Sequence, residues 1–232
     1  MRDDICTIPV TDAFEENDGC PICRMYDTVE KRILEYIMGA AMMEPDVRIE
    51  TNRLGFCGRH YKRMLKMRGR LSLALILQTH AAEVRKNVTE AGFLVSKAKK
   101  ADRAEELLES CFVCEKIEWG FERMLDTLYK TYETNREFRE MFDSQDYYCM
   151  NHYVMLSKGC QKKGMKRWGD DMLKVLSDKV KETLSTLQAD IDHYCRMYDY
   201  RNSGENADWG NSKDSIERTI AFLIGDDEVL PK

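Results

Sequence analysis

Apolar residues recur at intervals of three or four along most of this chain, which is the spacing of an amphipathic helix. The longest run of this kind keeps that spacing through six successive intervals and consists of Leu176, Val180, Leu184, Leu187, Ile191, Tyr194 and Tyr198. It predicts a long helix whose apolar face packs against other helices.

The same period predicts the other elements of the fold. Pro21 suits the first turn of a helix, and Gly55 breaks one. We predict further helices beginning at Pro21 and at Cys57, a long helix over 71–98, and short helices at 46–54, 135–143 and 213–224. Only four prolines and thirteen glycines occur in 232 residues, which disfavours a sandwich of short strands. The sequence therefore predicts an all-α protein.

Two kinds of ligand-bearing turn each occur twice. The turn Cys20–Cys23 is followed by Cys57–His60, and Cys111–Cys114 is followed by Cys149–His152. The CxxC turns are 91 residues apart and the CxxH turns are 92 apart. We interpret this as two tandem helical repeats of about 92 residues, each with one Cys3His metal site. Their long helices are predicted to pack into a shared bundle.

This interpretation divides the chain into three segments. Residues 1–100 form the first metal-binding repeat, residues 101–204 form the second, and residues 205–232 form a carboxyl-terminal helix and acidic tail.

The donor set favours zinc. Three thiolates and one imidazole complete the tetrahedron of a structural Zn²⁺ site, and a helix amino terminus stabilises thiolate. Two Zn²⁺ ions are therefore the favoured cofactors, and [4Fe-4S] clusters are the alternative, because cysteine thiolates also hold iron. Cys6, Cys160 and Cys195 have no repeat counterpart and are interpreted as ordinary side chains.

Two residue pairs on the long helices offer a weaker metal hypothesis. His80 with Glu83, and Asp190 with His193, have the i,i+3 spacing of helix-bundle metal sites, so the four could form a third site. Such pairs are common on charged helices, and ordinary polar surface explains them better.

Basic side chains follow both CxxH turns, in segments 57–70 and 158–167. They could bind nucleic acid or another anion. The net charge of −5 instead favours a role in stabilising the nearby thiolates. The candidate anion-binding residues are Arg59, Lys62, Arg63, Lys66, Lys158, Lys162 and Lys163.

Composition and motifs exclude some classes of protein but do not identify a function. A chain that is 43% hydrophobic and 33% charged is typical of a soluble globular protein. It has no apolar run of a signal peptide or a membrane span, which predicts a cytoplasmic protein without a membrane partner. Nucleophile elbow, phosphate loop, dinucleotide fingerprint and HExxH are absent, so no catalytic residue is predicted. Any enzymatic activity would be metal- or redox-dependent.

The turn Cys20–Cys23, the segment Gly55–His60 and the segment Tyr198–Asn202 resemble an uncharacterised bacterial family of helical proteins with paired CxxC…CxxH motifs. The resemblance implies a bacterial cytoplasmic protein and implies no substrate. Our leading hypothesis is a metal-stabilised helical binding or adaptor protein for an unknown protein or small molecule. The alternatives are an iron–sulfur or thiol-based redox protein and a nucleic-acid or anion binder.

Overall fold

All regular structure in the described residues is helical, which confirms the all-α class. The computed structural model describes residues 6–89, 97–163, 165, 167–199, 201 and 208–225. The α-helices of these residues are α1 Thr7–Glu15, α2 Pro21–Met38, α3 Pro45–Leu54, α4 Gly58–Lys66, α5 Arg70–Val84, α6 Lys97–Glu109, α7 Phe112–Thr134, α8 Arg136–Ser144, α9 Met150–Lys163, α10 Gly169–Met197 and α11 Ser215–Ile224. Short 3₁₀ turns occur at Ala40–Met43 and Gly210–Ser212, and a π-helical turn at Arg85–Thr89.

Proline and glycine set several helix ends where the sequence indicates. Pro21 and Pro45 each begin a helix, at the position where a missing N–H costs nothing. Gly55 ends α3 with φ +59°, and its N–H donates to the Thr51 carbonyl. Glycine adopts this left-handed φ without the steric cost that a Cβ brings.

The segment 71–98, predicted as one long helix, is not a single α-helix in the structure. Helix α5 ends at Val84, the π-helical turn follows it, and α6 begins at Lys97, while 90–96 lie outside the described residues. Leu73 and Ile76 are buried, whereas Leu71 is 71% exposed. Because apolar residues surround nearly all of α5, their spacing alone does not identify its buried face.

Helix α10 follows its predicted stripe more closely. Leu176, Val180 and Leu187 are buried. Leu184 and Tyr198 of the same predicted stripe are 38% and 69% exposed, and Tyr198 lies just beyond the helix end. Two acids, Asp170 and Asp171, lie in its first turn, where negative charge interacts favourably with the helix dipole.

The chain divides into two compact units. The continuous unit is Thr28–Glu122, and the discontinuous unit combines Met1–Asp27 with Arg123–Lys232. Both boundaries fall inside helices, one in α2 and one in α7. These units do not follow the segments 1–100, 101–204 and 205–232, and the tandem repeat itself stays a prediction.

Each unit has its own aromatic core. In the discontinuous unit, buried rings from α1, α7, α8 and the loop before α9 pack with centroids 4.8 to 5.7 Å apart: Phe14, Tyr132, Phe138, Phe142 and Tyr148. In the continuous unit, Phe56 packs 5.4 Å from Tyr61 and 6.4 Å from Phe112. Tyr148 directly precedes Cys149, Phe56 precedes Cys57 and Phe112 follows Cys111, so both ring clusters continue into ligand-bearing turns.

Candidate metal centres

The first CxxC turn meets the second CxxH turn. Cys20, Cys23, Cys149 and His152 form one cluster, named site I, within the discontinuous unit. The His152 Nδ1 atom lies 3.5, 3.4 and 3.2 Å from the sulfurs of Cys20, Cys23 and Cys149. The Cys23 and Cys149 sulfurs are 3.8 Å apart. All four residues are buried.

The second CxxC turn meets the first CxxH turn in the same way. Cys57, His60, Cys111 and Cys114 form site II within the continuous unit. The His60 Nδ1 atom lies 3.1, 3.2 and 3.5 Å from the sulfurs of Cys57, Cys111 and Cys114. The Cys57 and Cys114 sulfurs are 3.9 Å apart. Unlike the cysteines of site I, Cys57 and Cys114 are partly exposed.

The structure therefore corrects the predicted pairing within each repeat. The sequence predicts that Cys20 and Cys23 share a site with Cys57 and His60. In the structure each CxxC turn instead meets the CxxH turn of the other predicted repeat. The reason is that equal spacing makes the two CxxH turns chemically interchangeable. Tertiary packing decides which of them meets which CxxC turn, and spacing carries no information about it.

Hydrogen bonds to two backbone carbonyls connect the two loops that form site II. The Gly55 carbonyl accepts from the Phe112 N–H at 3.0 Å, and the Ser110 hydroxyl donates to the Leu54 carbonyl at 2.7 Å. A Cβ on Gly55 would lie 2.7 Å from the His80 ring, so that ring would have to move. The positive φ of Gly55 favours glycine, and the close approach of the His80 ring adds to that preference.

Side-chain hydrogen bonds connect the two loops that form site I. Asn17 and Asp146 form a reciprocal pair, in which the Asn17 amide donates to the carboxylate at 2.8 Å and accepts from the Asp146 N–H at 2.7 Å. The Gln145 amide donates to the Phe14 carbonyl at 2.8 Å and accepts from Arg24 at 2.9 Å. The loops that precede Cys20 and Cys149 are thereby held together.

A buried carboxylate beside site II is the residue that sequence analysis missed. Glu30 is fully buried, and its Oε1 lies 2.9 Å from Nε2 of His60. Its Oε2 accepts from Arg59 at 3.0 Å and pairs with Arg63 at 2.7 Å. The carboxylate thus contacts a metal-ligand candidate and two cations at once.

One signal in the sequence could have found Glu30. It lies four residues after Tyr26 and four before Leu34, on the apolar face of α2. A lone acid on a buried helix face requires a charged or hydrogen-bonding partner, because an unpaired buried carboxylate is very costly.

Electrostatics at site II favour a thiolate beside an imidazolium. Burial alone lowers the pKa of His60, but hydrogen bonds with Cys111 and Glu30 raise it to about 9. The hydrogen bond with Cys114 is the main cause that lowers the pKa of Cys111 to about 3, and the same contact raises the pKa of Cys114. Negative charge therefore concentrates on Cys111.

The pKa values at site I are shifted in the same directions, upward for the histidine and downward for one cysteine. Burial lowers the pKa of His152, while hydrogen bonds with Cys149 and Cys20 raise it to about 9. Burial raises the pKa of Cys20, but contacts with Cys149, Cys23 and His152 outweigh it and lower that pKa overall. The pKa of Cys23 is raised by its hydrogen bonds with Cys149 and Cys20. A divalent cation would take over the positive charge that the imidazolium supplies.

The residues at both sites fit one four-coordinate metal ion. In a tetrahedral site with zinc–sulfur bonds of about 2.3 Å, the sulfurs lie about 3.8 Å apart. The Cys23–Cys149 and Cys57–Cys114 sulfur–sulfur distances are 3.8 and 3.9 Å. All nine cysteines lie in the described part of the chain, and none forms a disulfide.

The structure does not bring the four residues of the suggested third site together. Over the described ranges, sites I and II are the groups of three or more potential ligands. Each of the four side chains contacts another group at 2.7 to 2.9 Å: His80 the Asn52 carbonyl, Glu83 the Asn87 amide, Asp190 the Arg218 guanidinium, and His193 the Asp208 carbonyl.

The basic segments contain arginines that pair with a buried carboxylate and lysines that are exposed. Arg59 and Arg63 pair with the buried Glu30, so their charge is largely compensated inside the protein. The exposed candidates are Lys62, Lys66 and Lys158. The side chains of Lys162 and Lys163 lie outside what the structure describes. An anion site on these segments stays a prediction.

The chain belongs to a family of unknown function (DUF6062), whose model matches residues 1–229. No curated protein and no solved structure matches the chain. Membership confirms the resemblance to an uncharacterised family. Among the helices that the structure describes, none is both long and apolar enough to cross a membrane.

Proposed function

We propose that this protein is a helical binding protein in which one structural Zn²⁺ stabilises each compact unit, through site I and site II. The observation that supports it is the convergence of three sulfurs and one imidazole nitrogen, all within 4.8 Å of one another, at each site. Four protein ligands close the coordination of zinc and leave no position for a substrate, as in structural sites.

The spacing of the donors supports a single ion over an iron–sulfur cluster. Two sulfurs bound tetrahedrally to one zinc ion through bonds of about 2.3 Å lie about 3.8 Å apart, and the Cys23–Cys149 and Cys57–Cys114 sulfurs are 3.8 and 3.9 Å apart. A [4Fe-4S] cluster places several iron and sulfide ions between its thiolates and holds them farther apart. Electron transfer through clusters is accordingly less well supported.

Metal analysis of the purified protein tests this proposal. We expect two zinc ions per chain, no visible colour, and no loss of zinc on dilution. Replacement by Co²⁺ should give the intense visible bands of tetrahedral thiolate coordination. Iron with acid-labile sulfide, or a metal-free protein that is fully folded, would overturn it.

A cavity in the discontinuous unit supports the binding role. It has a volume of about 290 Å³ and lies between α10, α11 and the loop before α9. Tyr147, Leu187 and Phe222 contribute apolar surface, and Glu182 and Arg218 contribute charge. A concave apolar surface with a few polar groups is typical of small-molecule sites.

Nile red, a neutral apolar dye, can probe this cavity. We expect saturable binding at one site, detected by its fluorescence. Thr186→Trp should fill the cavity and weaken binding, because Thr186 lines it and is exposed. Gln188→Trp on the same helix is the control, since Gln188 is exposed and does not line the cavity. Equal binding by both variants would contradict this part of the proposal.

A further inference from the structure

His60 contacts a buried carboxylate on the side away from the sulfurs. His60 presents Nδ1 to the three sulfurs of site II and Nε2 to Glu30, at 2.9 Å. A neutral imidazole has one N–H and one lone pair, so a carboxylate at Nε2 fixes the proton there. The lone pair of Nδ1 is then directed at the sulfurs, as metal ligation requires.

Glu30 is itself held in place. It is fully buried, and it is tolerated there because Arg59 and Arg63 pair with the same carboxylate oxygen at 3.0 and 2.7 Å. Zn²⁺ with three thiolates carries one net negative charge. Adding one carboxylate and two guanidinium groups brings the whole assembly to neutrality, which lowers the cost of its burial.

The charged residues of this arrangement have no counterparts in the other half of the sequence. The offsets of 91 and 92 residues that relate the ligand turns place Phe121 opposite Glu30, Asn151 opposite Arg59 and Met155 opposite Arg63. All three counterparts are uncharged, so site I does not receive an equivalent set from these positions. The two sites are chemically unequal although their ligands are identical.

We propose that Glu30 is a positioning residue for the metal of site II: it fixes the His60 ring and tautomer, and thereby raises the zinc affinity of that site alone. The proposal rests on the proposed function, namely that site II holds zinc. Loss of such a carboxylate typically lowers metal affinity about 10- to 100-fold.

The test is a zinc competition titration with a chromogenic chelator, which resolves the two sites by affinity. In Glu30→Gln we expect one affinity to fall about 10- to 100-fold and the other to stay unchanged. Glu50→Gln is the matched control in the same unit, because Glu50 pairs at 2.9 Å with Lys116 and both side chains are nearly half exposed. Two wild-type affinities in folded Glu30→Gln overturn the proposal, whereas a wild-type protein that binds no zinc overturns the proposed function instead.

A second measurement uses the wild-type protein, so it tests the proposal even if Glu30→Gln does not fold. Long-range ¹H–¹⁵N spectra of the zinc-loaded wild type identify the protonated nitrogen of each histidine. We expect the Nε2 proton of His60 to be shifted downfield and protected from exchange by the carboxylate. A rapidly exchanging Nε2 proton on His60 overturns the proposal.

Discussion

The sulfur of Cys23 lies 3.4 Å from Nδ1 of His152, although 129 residues separate the two in the chain. The Cys57 sulfur lies 3.9 Å from that of Cys114, 57 residues away. Each candidate metal centre therefore combines a turn from segment 1–100 with a turn from segment 101–204. The grouping makes definite predictions about which substitutions act together.

Pairs of cysteine substitutions distinguish the observed grouping from pairing within a repeat. Cys20→Ala combined with Cys149→Ala removes two ligands of one site, so the variant should keep one zinc per chain. Cys20→Ala combined with Cys57→Ala removes one ligand from each site and should lose both ions. Zinc content measured by mass spectrometry after gel filtration decides between them.

The single substitution Cys195→Ala serves as the control, because Cys195 is exposed and belongs to neither site. It should keep two zinc ions. The opposite result for the double variants, with one zinc in the Cys20/Cys57 variant and none in the Cys20/Cys149 variant, would restore the pairing within repeats.

Gly55→Ala should destabilise the protein by about 2 kcal/mol or more. The new Cβ meets the His80 ring and is strained at φ +59°. Gly58→Ala is the matched control, because nothing lies within 4 Å of its Cβ and the residue is in the first turn of α4. It should be neutral or stabilise by up to about 1 kcal/mol. Urea denaturation measures both, and equal free energies of unfolding would contradict the steric account.

Arg24→Ala should cost about 2 kcal/mol or more. Its guanidinium donates to Gln145 at 2.9 Å, to the Ala13 carbonyl at 2.9 Å and to Asp18 at 2.6 Å, which fixes the loop before Cys20. Arg136→Ala is the control, since Arg136 is 84% exposed and pairs with Glu140 one turn along its own helix. A surface pair of this kind contributes about 0.5 kcal/mol or less. Thermal unfolding should separate the two variants clearly.

Zinc binding should release protons and weaken as the pH falls. The pKa values of Cys23 and Cys114 are raised by hydrogen bonds with neighbouring sulfurs, so both thiols hold their protons at neutral pH without metal. Ligation requires thiolate, so zinc must displace these protons and acid opposes it. A pH indicator in weakly buffered solution measures the release, and pH-independent zinc affinity between pH 6 and pH 8 would contradict the assignment.

The sequence predicts those parts of the fold that depend on local chemistry. Pro21 and Gly55 mark helix ends, and the stripe through Leu176 and Leu187 identifies the buried face of α10, because these signals act within a few residues. The buried face of α5 does not follow from its sequence, since apolar side chains on nearly every face leave its orientation to tertiary packing.

For the candidate sites, too, the sequence predicts what depends on local chemistry and not what depends on tertiary packing. The side chains that gather at sites I and II are the eight that the duplicated motifs indicate, because their spacing reflects the local geometry of a helix start. Their grouping could not be predicted from spacing, because it depends on contacts between residues far apart in the chain. Glu30 was missed for a related reason: its partners Arg59 and Arg63 lie on another helix.

The grouping of the ligands also sets an order of events on the ribosome. All ligands of site II lie between Cys57 and Cys114, inside the span that site I closes from Cys20 to His152. The enclosed site has its full donor set as soon as Cys114 has been synthesised. The thiols of Cys20 and Cys23, although made first, must wait for their partners until the nascent chain has grown past His152.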